Sequence, residues 1–298
     1  MDRLACRRRT GVGHSLSGDG ESPMHPYLAA PGSIALAHRG GAHEWPQNSL
    51  AAFEGARALG FTHLETDVRI TRDGVLVVFH DPDLAPSTDR SGLIEQLSAS
   101  EVTTARIRNA DGSLSDQTIP TLEALLDLCP DSYFNLDAKA DAATRPLIEL
   151  IGRRDLRDRV CLASFSRARL RLMRDELGAG VCTANSPAEI ASLRLASWGL
   201  RRLGGIGRLA GDAVQLPIGI GVQGGLRLPE RVERRVGLPV IDRRLVNEAE
   251  RQGKSIHVWT VNNTDRMGEL LDLGAHGIIT DRPSALLALL RRRGQWPT

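Results

Sequence analysis

From Ser33 onward, short apolar runs alternate with longer stretches in which apolar residues return every three or four positions. The short runs read as strands and the longer ones as amphipathic helices, because side chains alternate faces in a strand and recur at i, i+3 and i+4 in a helix. Strands are predicted over 34–37, 63–68, 133–137, 160–163, 180–183, 213–216, 256–260 and 277–280. Helices are predicted over 48–59, 122–128, 143–153, 167–177, 188–198, 242–252, 265–273 and 284–292. Gly60 closes the first helix, Thr121 or the residue before it caps the second, and Pro187 stands where a first turn tolerates it. Eight strand–helix units in roughly 250 residues predict a single-domain α/β protein, a (β/α)8 TIM barrel. The competitor, an open doubly wound sheet, usually carries a glycine-rich first turn. Here that turn is HRGGAHEWPQN, without the GxGxxG pattern.

One stretch departs from the alternation. LETDVRITRDGVLVVFHD, residues 64–81, reads as a hairpin: a strand, an Asp73-Gly74 turn, and a returning arm from Val75 to His80. Glu65 and Asp67 lie two apart and so point to the same face. Paired carboxylates repel and desolvate badly unless a cation or a proton sits between them. Taken alone, an exposed polar hairpin accounts for them equally well. Residues 82–119 are expected to be an irregular polar excursion.

Composition narrows the class. The chain has 298 residues, 41% hydrophobic and 25% charged, the profile of an ordinary globular protein. A net charge of +2 gives no case for a nucleic-acid partner. No apolar run approaches a membrane span. The four cysteines, Cys6, Cys129, Cys161 and Cys182, lack metal-type spacing, and two of them lie in strand-like runs, so a reduced, cytoplasmic protein is expected. Residues 1–23 are polar, rich in Gly, Ser and Arg, and lack a signal-peptide core. They are expected to be a disordered tail or a mis-called start ahead of Met24, with the barrel over 30–296.

In an α/β barrel the active site is built from the carboxyl ends of the strands. Those ends carry His38-Arg39, Glu65 and Asp67, Asp137 and Lys139, Ser164, Thr183, Gln215, Trp259-Thr260 and Thr280-Asp281. His38, His80, Glu65, Asp67 and Asp137 would converge on one mouth. Carboxylates suit one hard divalent cation, Ca2+ or Mg2+. Two histidines beside it can divide general acid and general base work, and Arg39 and Lys139 can hold a phosphate. That set reads as phosphodiester cleavage.

AHRGG, PQNSLAAF, LETDVRITRDGVLVVFHD, NLDAK, VWTVN and GIITDRP together resemble the glycerophosphodiester phosphodiesterase family, in order from about Ile34 to Pro283. The resemblance implies a TIM barrel, a divalent metal, and hydrolysis of a small-molecule glycerophosphodiester to an alcohol and glycerol 3-phosphate. By position it makes His38 and His80 the catalytic pair, Glu65, Asp67 and Asp137 the metal ligands, and Arg39, Lys139, Asn48 and Trp259 the substrate and phosphate contacts. It also implies attack by the substrate's own glycerol 2-hydroxyl, through a cyclic phosphate. The chain departs from the family at Gln47, where the family has Glu, and at Asp137, where Glu is common and one methylene longer.

Other features have plainer readings. His63 and His257 read as packing, His14, His25 and His43 as solvated, and His276 as a loop residue. Trp45 and Trp198 read as packing. The basic run 194–211 reads as a solvated helix and loop, with contact to acidic lipid as the second reading. Residues 217–229 read as a lid or an ordinary loop. Two alternatives to the leading function stand: a lipid-directed phosphodiesterase of lysophospholipase D or phosphatidylinositol phospholipase C type, and a non-catalytic phosphodiester-binding barrel. No stable membrane anchor is expected. Because residues 1–23 offer no apolar periodicity with which to join a core, a chain starting at Met24 should melt and turn over like the full-length protein; a large drop in melting temperature would show that the tail is packed.

Overall fold

The computed structural model describes residues 24–30, 32–202, 206–218 and 241–296. Residues 1–23 and most of the expected lid, from 219 on, lie outside the described residues. In chain order, β1 (Ile34–His38) leads to α1 (Leu50–Ala58), β2 (His63–Ile70), β3 (Leu76–Val78), α2 (Ala99–Val102), β4 (Arg106–Arg108), β5 (Leu114–Thr118) and α3 (Leu122–Leu128). Then come β6 (Tyr133–Ala138), α4 (Asp141–Arg153), β7 (Val160–Ala163), α5 (Arg167–Leu177), β8 (Cys182–Thr183) and α6 (Pro187–Ser197). The chain closes with β9 (Ala213–Pro217), α7 (Arg243–Glu250), β10 (Ser255–Trp259), α8 (Thr264–Leu273), β11 (Gly277–Thr280) and α9 (Pro283–Arg292).

The helix starts follow local chemistry. Ser49, Thr121, Ser166, Asp242 and Asn263 each accept a backbone N–H of the first turn, and Ser186 forms a reciprocal capping box with Glu189. Gly274 ends α8 at φ 107°, a left-handed conformation that costs glycine least.

Eight parallel strands, β8-β7-β6-β2-β1-β11-β10-β9, lie side by side, and a parallel bridge from Ala184 to Ala213 joins the two ends. The sheet is therefore a closed (β/α)8 barrel, as the strand–helix alternation predicts. Alternate residues divide between two environments. Ala35, Leu64, Phe134, Leu162, Val214, Val258 and Ile278 join the helix-facing core, whereas Leu36, Cys161, Cys182, Ala213 and Ile279 fill the interior. Cys129, Cys161 and Cys182 are buried free thiols.

The structure differs from the sequence reading in three places. Residues 82–119 are ordered: α2 and the antiparallel pair β4–β5 enclose a small core of Phe79, Leu84, Ile94, Val102, Ile107 and Ile119. Its apolar residues are too sparse and too irregularly spaced to show a helical or strand period. The barrel also begins earlier than residue 30, because Tyr27 is fully buried and packs with the interior residues. Trp198, expected to pack, is 48% exposed, with the Arg194 guanidinium 5.9 Å over its ring. Leu195 and Leu200 beside it are also exposed.

Tyr27 closes the floor of the barrel. Its ring meets His63 edge-on at 5.1 Å, and His63 stacks on Tyr133 at 4.8 Å. The Tyr27 carbonyl accepts from His63 Nε2 at 2.9 Å, which assigns the proton to Nε2 and leaves Nδ1 to accept from Thr62 Oγ1. Burial lowers the pKa of His63 to about 4 and that of His257 to about 3, both from 6.5. An unfolded chain takes up these protons near pH 6.5, and the folded chain does so only near pH 4 and 3. Below 6.5 the unfolded state therefore binds more protons, so the stability that is full above that pH falls as the pH drops. Urea midpoints should decline on acidification, and His63→Gln should flatten the decline between pH 6.5 and 4. An unaltered slope in that variant would remove His63 from the account.

Candidate active site

Asp67 lies at the centre of the mouth, 1% exposed, on β2. A lone buried carboxylate is costly, and here it is surrounded by cations and donors. Lys139 Nζ is 2.9 Å from Asp67 Oδ1 and Arg39 Nε 3.0 Å from Oδ2, while Asn48 Nδ2 donates to Oδ2 at 3.2 Å. The Arg39 Nε–H is not aligned on the carboxylate, so that contact is Coulombic rather than a formed hydrogen bond. Burial pushes the Asp67 pKa up, but Arg39 and Lys139 outweigh it and hold the carboxyl well below its usual range. Lys139 also reaches Asp137 Oδ2 at 2.6 Å; burial opposes its charge, and the two aspartates outweigh that and raise its pKa.

Three strands bring these groups together. β2 pairs with β1 and β6 in a register that sets His38 beside Glu65 and Asp67 beside Asp137. Arg39, the first residue past β1, has φ 52°, and Asn48 has φ 59°. Both left-handed turns are pinned by backbone bonds: the Arg39 N–H donates to the Glu65 carbonyl at 2.9 Å and to Glu65 Oε2 at 3.1 Å, and the Asn48 N–H donates to the Arg39 carbonyl.

The two histidines are built alike. His38 Nδ1 lies 2.5 Å from Asp281 Oδ1, and His80 Nδ1 lies 2.8 Å from Asp81 Oδ1. Asp281 is itself held, its Oδ2 accepting from Asn262 Nδ2 at 2.7 Å. Asp81 accepts from Ser87 Oγ at 3.0 Å. A carboxylate on Nδ1 fixes the ring and the tautomer and leaves Nε2 for proton exchange. His38 Nε2 points to Glu65, 3.7 Å away. Burial opposes the charged form of His38, but Glu65 and the Asp281 bond outweigh it and raise the pKa. Glu65 is raised to about 7, chiefly by burial, with His38 opposing.

The structure thus brings His38, Arg39, Glu65, Asp67, Asp137 and Lys139 into one linked cluster. His80, at the end of the hairpin's second arm, acts electrostatically on Asp67 as His38 does. Asn48 is placed differently from the phosphate contact expected of it. It is 1% exposed, donates to Asp67 and accepts from Thr66 Oγ1 at 2.8 Å, so its amide holds Asp67 from beneath. Trp259 is at the rim, edge-on to Phe165 at 5.8 Å. Gln47 accepts from Arg39 Nη1 at 2.7 Å through its amide oxygen, so a neutral side chain serves there.

Among the described residues, no three His, Cys, Asp or Glu side chains stand together at metal-binding spacing. The ammonium of Lys139 lies between Asp67 and Asp137, and Arg39 takes the other side of Asp67. The residues nonetheless suit a hard cation. Asp137 Oδ1 is buried without a hydrogen-bond partner, and Glu65 is driven toward protonation.

Three contributors escaped the sequence reading. Asp81 directly follows His80, and Asp281 is the first residue past the last strand, which pairs with β1. Both were visible as acids at strand ends, but a ring nitrogen's partner is not legible from spacing. Phe165 is 46% exposed at the mouth, with Lys139 Nζ 5.8 Å from its ring centroid. Its neighbour Ser164 instead donates to the Ala138 carbonyl, and Thr183 accepts from Arg174.

The sequence matches the "Glycerophosphoryl diester phosphodiesterase family" over residues 38–194 and 220–285. It is 37% identical to the Mycobacterium tuberculosis protein named "Probable glycerophosphodiester phosphodiesterase 2", over 93% of this chain and 98% of that one. The fold resembles a glycerophosphodiester phosphodiesterase of Agrobacterium tumefaciens, with TM-score 0.66 and 18% identity over 86% of this chain and 99% of that one. It also resembles an Oleispira antarctica phosphodiesterase solved with the product sn-glycerol-3-phosphate, with TM-score 0.65 and 19% identity over 87% and 97% of the two chains.

The Asp281 contact makes a prediction of its own. Asp281→Asn removes the charge that favours the imidazolium and weakens the bond to it, so the midpoint at which His38 gains its proton should fall. Side-chain NMR titration in metal-free buffer reads it, with His276 as the unaffected reference. An unmoved His38 midpoint would contradict the pairing.

Proposed function

The chain belongs to the glycerophosphoryl diester phosphodiesterase family and is a phosphodiesterase of that kind, and from that premise we propose a metal-dependent, two-histidine cleavage of glycerophosphodiesters to an alcohol and glycerol 3-phosphate. The observation that carries it is the pair of imidazoles, His38 and His80, each with Nδ1 against its own carboxylate beside one cluster of buried acids and cations. A non-catalytic barrel has no need of two such pairs.

In this reading Glu65, Asp67 and Asp137 would hold one Ca2+ or Mg2+ ion. When bound, the ion neutralises phosphate charge and lowers the pKa of a nearby hydroxyl. Arg39 and Lys139 contact the phosphate and keep Asp67 ionised. One histidine takes the proton of the glycerol 2-hydroxyl, whose oxygen attacks phosphorus. The P–O bond to the leaving alcohol breaks, and the other histidine protonates that oxygen, leaving a cyclic phosphate. Water then opens the ring with the two roles exchanged. An internal hydroxyl is the favoured nucleophile because its effective molarity is high. Phe165 and Trp259 form an aromatic wall of the mouth.

Among the described residues no helix is long and apolar enough to cross a membrane. The buried free thiols support a reducing, cytoplasmic setting for the reaction.

Glycerophosphocholine should be cleaved, and a chelator should stop it. Calorimetric titration with Ca2+ or Mg2+ should show one site in the wild type and none in Asp67→Ala; full affinity in that variant would overturn the ligand set. His38→Ala or His80→Ala should lower kcat by roughly 10²–10⁴. A substrate lacking the 2-hydroxyl should bind near-normally and be cleaved very slowly, and its rapid turnover would replace the internal route with direct attack by water.

A further inference from the structure

Arg69 stands on β2 two residues past Asp67, so the pleat turns it to the face of Glu65 and Asp67, one step nearer the rim. It is partly exposed where Asp67 is buried. Its Nε donates to the His80 carbonyl at 2.8 Å, which holds the guanidinium beside the second histidine. Among the described residues, its two terminal nitrogens have no hydrogen-bond partner and no acid in ion-pair contact.

The fold leaves this cation under-compensated. Burial opposes its charge, Asp67, Glu95 and Asp81 favour it without touching it, Arg169 works against them, and the balance lowers its pKa. Asp67 is committed to Arg39 and Lys139, Asp81 to His80, and Glu95 stands exposed. Holding the His80 carbonyl takes one N–H, which a neutral donor would provide at lower desolvation cost. A guanidinium is a planar fork whose paired N–H groups match the two oxygens of a carboxylate or a phosphate. An acidic group arriving from solution would complete it.

The enclosure of the two histidines says which part of a substrate reaches that fork. The His38 side chain is 16% exposed and that of His80 38%. The glycerol arm is the same in every glycerophosphodiester and suits the enclosed side. The leaving alcohol varies in size and suits the open side, past His80, where Arg69 lies. Arg39 and Lys139 serve the reacting phosphate, so Arg69 is available to a second acidic group.

Resting on the phosphodiesterase reading, we propose that Arg69 binds an acidic group, carboxylate or phosphate, carried by the leaving alcohol, and so makes the enzyme favour glycerophosphodiesters with acidic head groups.

The test uses two pairs of substrates. The first pair, matched in size, joins glycerol phosphate to 3-hydroxypropanoate or to its amide. The second is glycerophosphoglycerol with and without a terminal phosphate. The wild type should favour the acid in at least one pair by roughly ten-fold in kcat/KM, the scale of one charge-assisted bond at a partly exposed site. The pair that responds tells carboxylate from phosphate recognition. Arg69→Gln and Arg69→Met should bring that ratio close to one, and the ratio cancels any loss that both members share through the His80 contact. A wild type that favours the acid in neither pair, or variants that lose activity equally on both members and keep the ratio, would overturn the inference. Cleavage of glycerophosphocholine would then leave the phosphodiesterase reading intact, whereas a wild type silent on every one of these substrates would overturn the two together. If neither variant folds, as read by thermal melting, the wild type decides by salt: its preference for the acid should fade from low to molar ionic strength, and a ratio indifferent to salt would refute the role of Arg69.

Discussion

The mouth of the barrel is organised around one buried carboxylate. Asp67 is ionised in a nearly dry position because Arg39, Lys139 and Asn48 meet it from three sides. Removing Arg39 or Lys139 takes away part of that compensation, and stripping partners from a buried charge is far more costly than never having buried it. The three partners come from two connections: Arg39 and Asn48 from opposite ends of the loop between β1 and α1, and Lys139 from just past β6. The ion cluster is thus a condition on how β1, β2 and β6 align, and the parallel register of these strands meets it.

The same strands distribute charge unequally among the acids. Asp67 has cations on both sides and stays charged, whereas Glu65, two residues earlier on the same strand face and turned toward His38, is raised to about 7 by burial. Asp137 shares Lys139 through one oxygen and leaves the other buried and unpaired. An added cation would relieve both, a physical reason to read these carboxylates as a ligand set rather than as structural ion pairs. The imidazoles flank this centre with matching supports that differ in setting: the His38–Asp281 pair is more enclosed than the His80–Asp81 pair past the hairpin's second arm.

Away from the mouth, the scaffold is held at two further places. Tyr27 and His63 close the floor, so the interior is packed beneath the charged layer. The excursion between β3 and α3 encloses its own small core, and Ser87 from that region supports Asp81. The end of the second hairpin arm, which carries His80, is therefore braced from the excursion.

The strand–helix alternation, the hairpin, and the acids and histidines at strand ends were legible in the sequence, because period and position along a strand are local properties. The closed barrel followed from the number of units, and the acid pair Glu65 and Asp67 from alternation alone. The sequence did not disclose who partners whom. Asp281 lies 243 positions from His38 and meets it only because β11 pairs with β1. Asn48, placed by resemblance at the phosphate, turns beneath Asp67 instead, and Gln215 finds Asn135 across the interior. The ordered excursion was also missed, because its core is assembled from residues with no common period. Local pattern determined which residues reach the mouth; the closure of the barrel decided the hydrogen bonds, the sharing of charge and the pKa shifts, since those depend on distances between segments far apart in the chain.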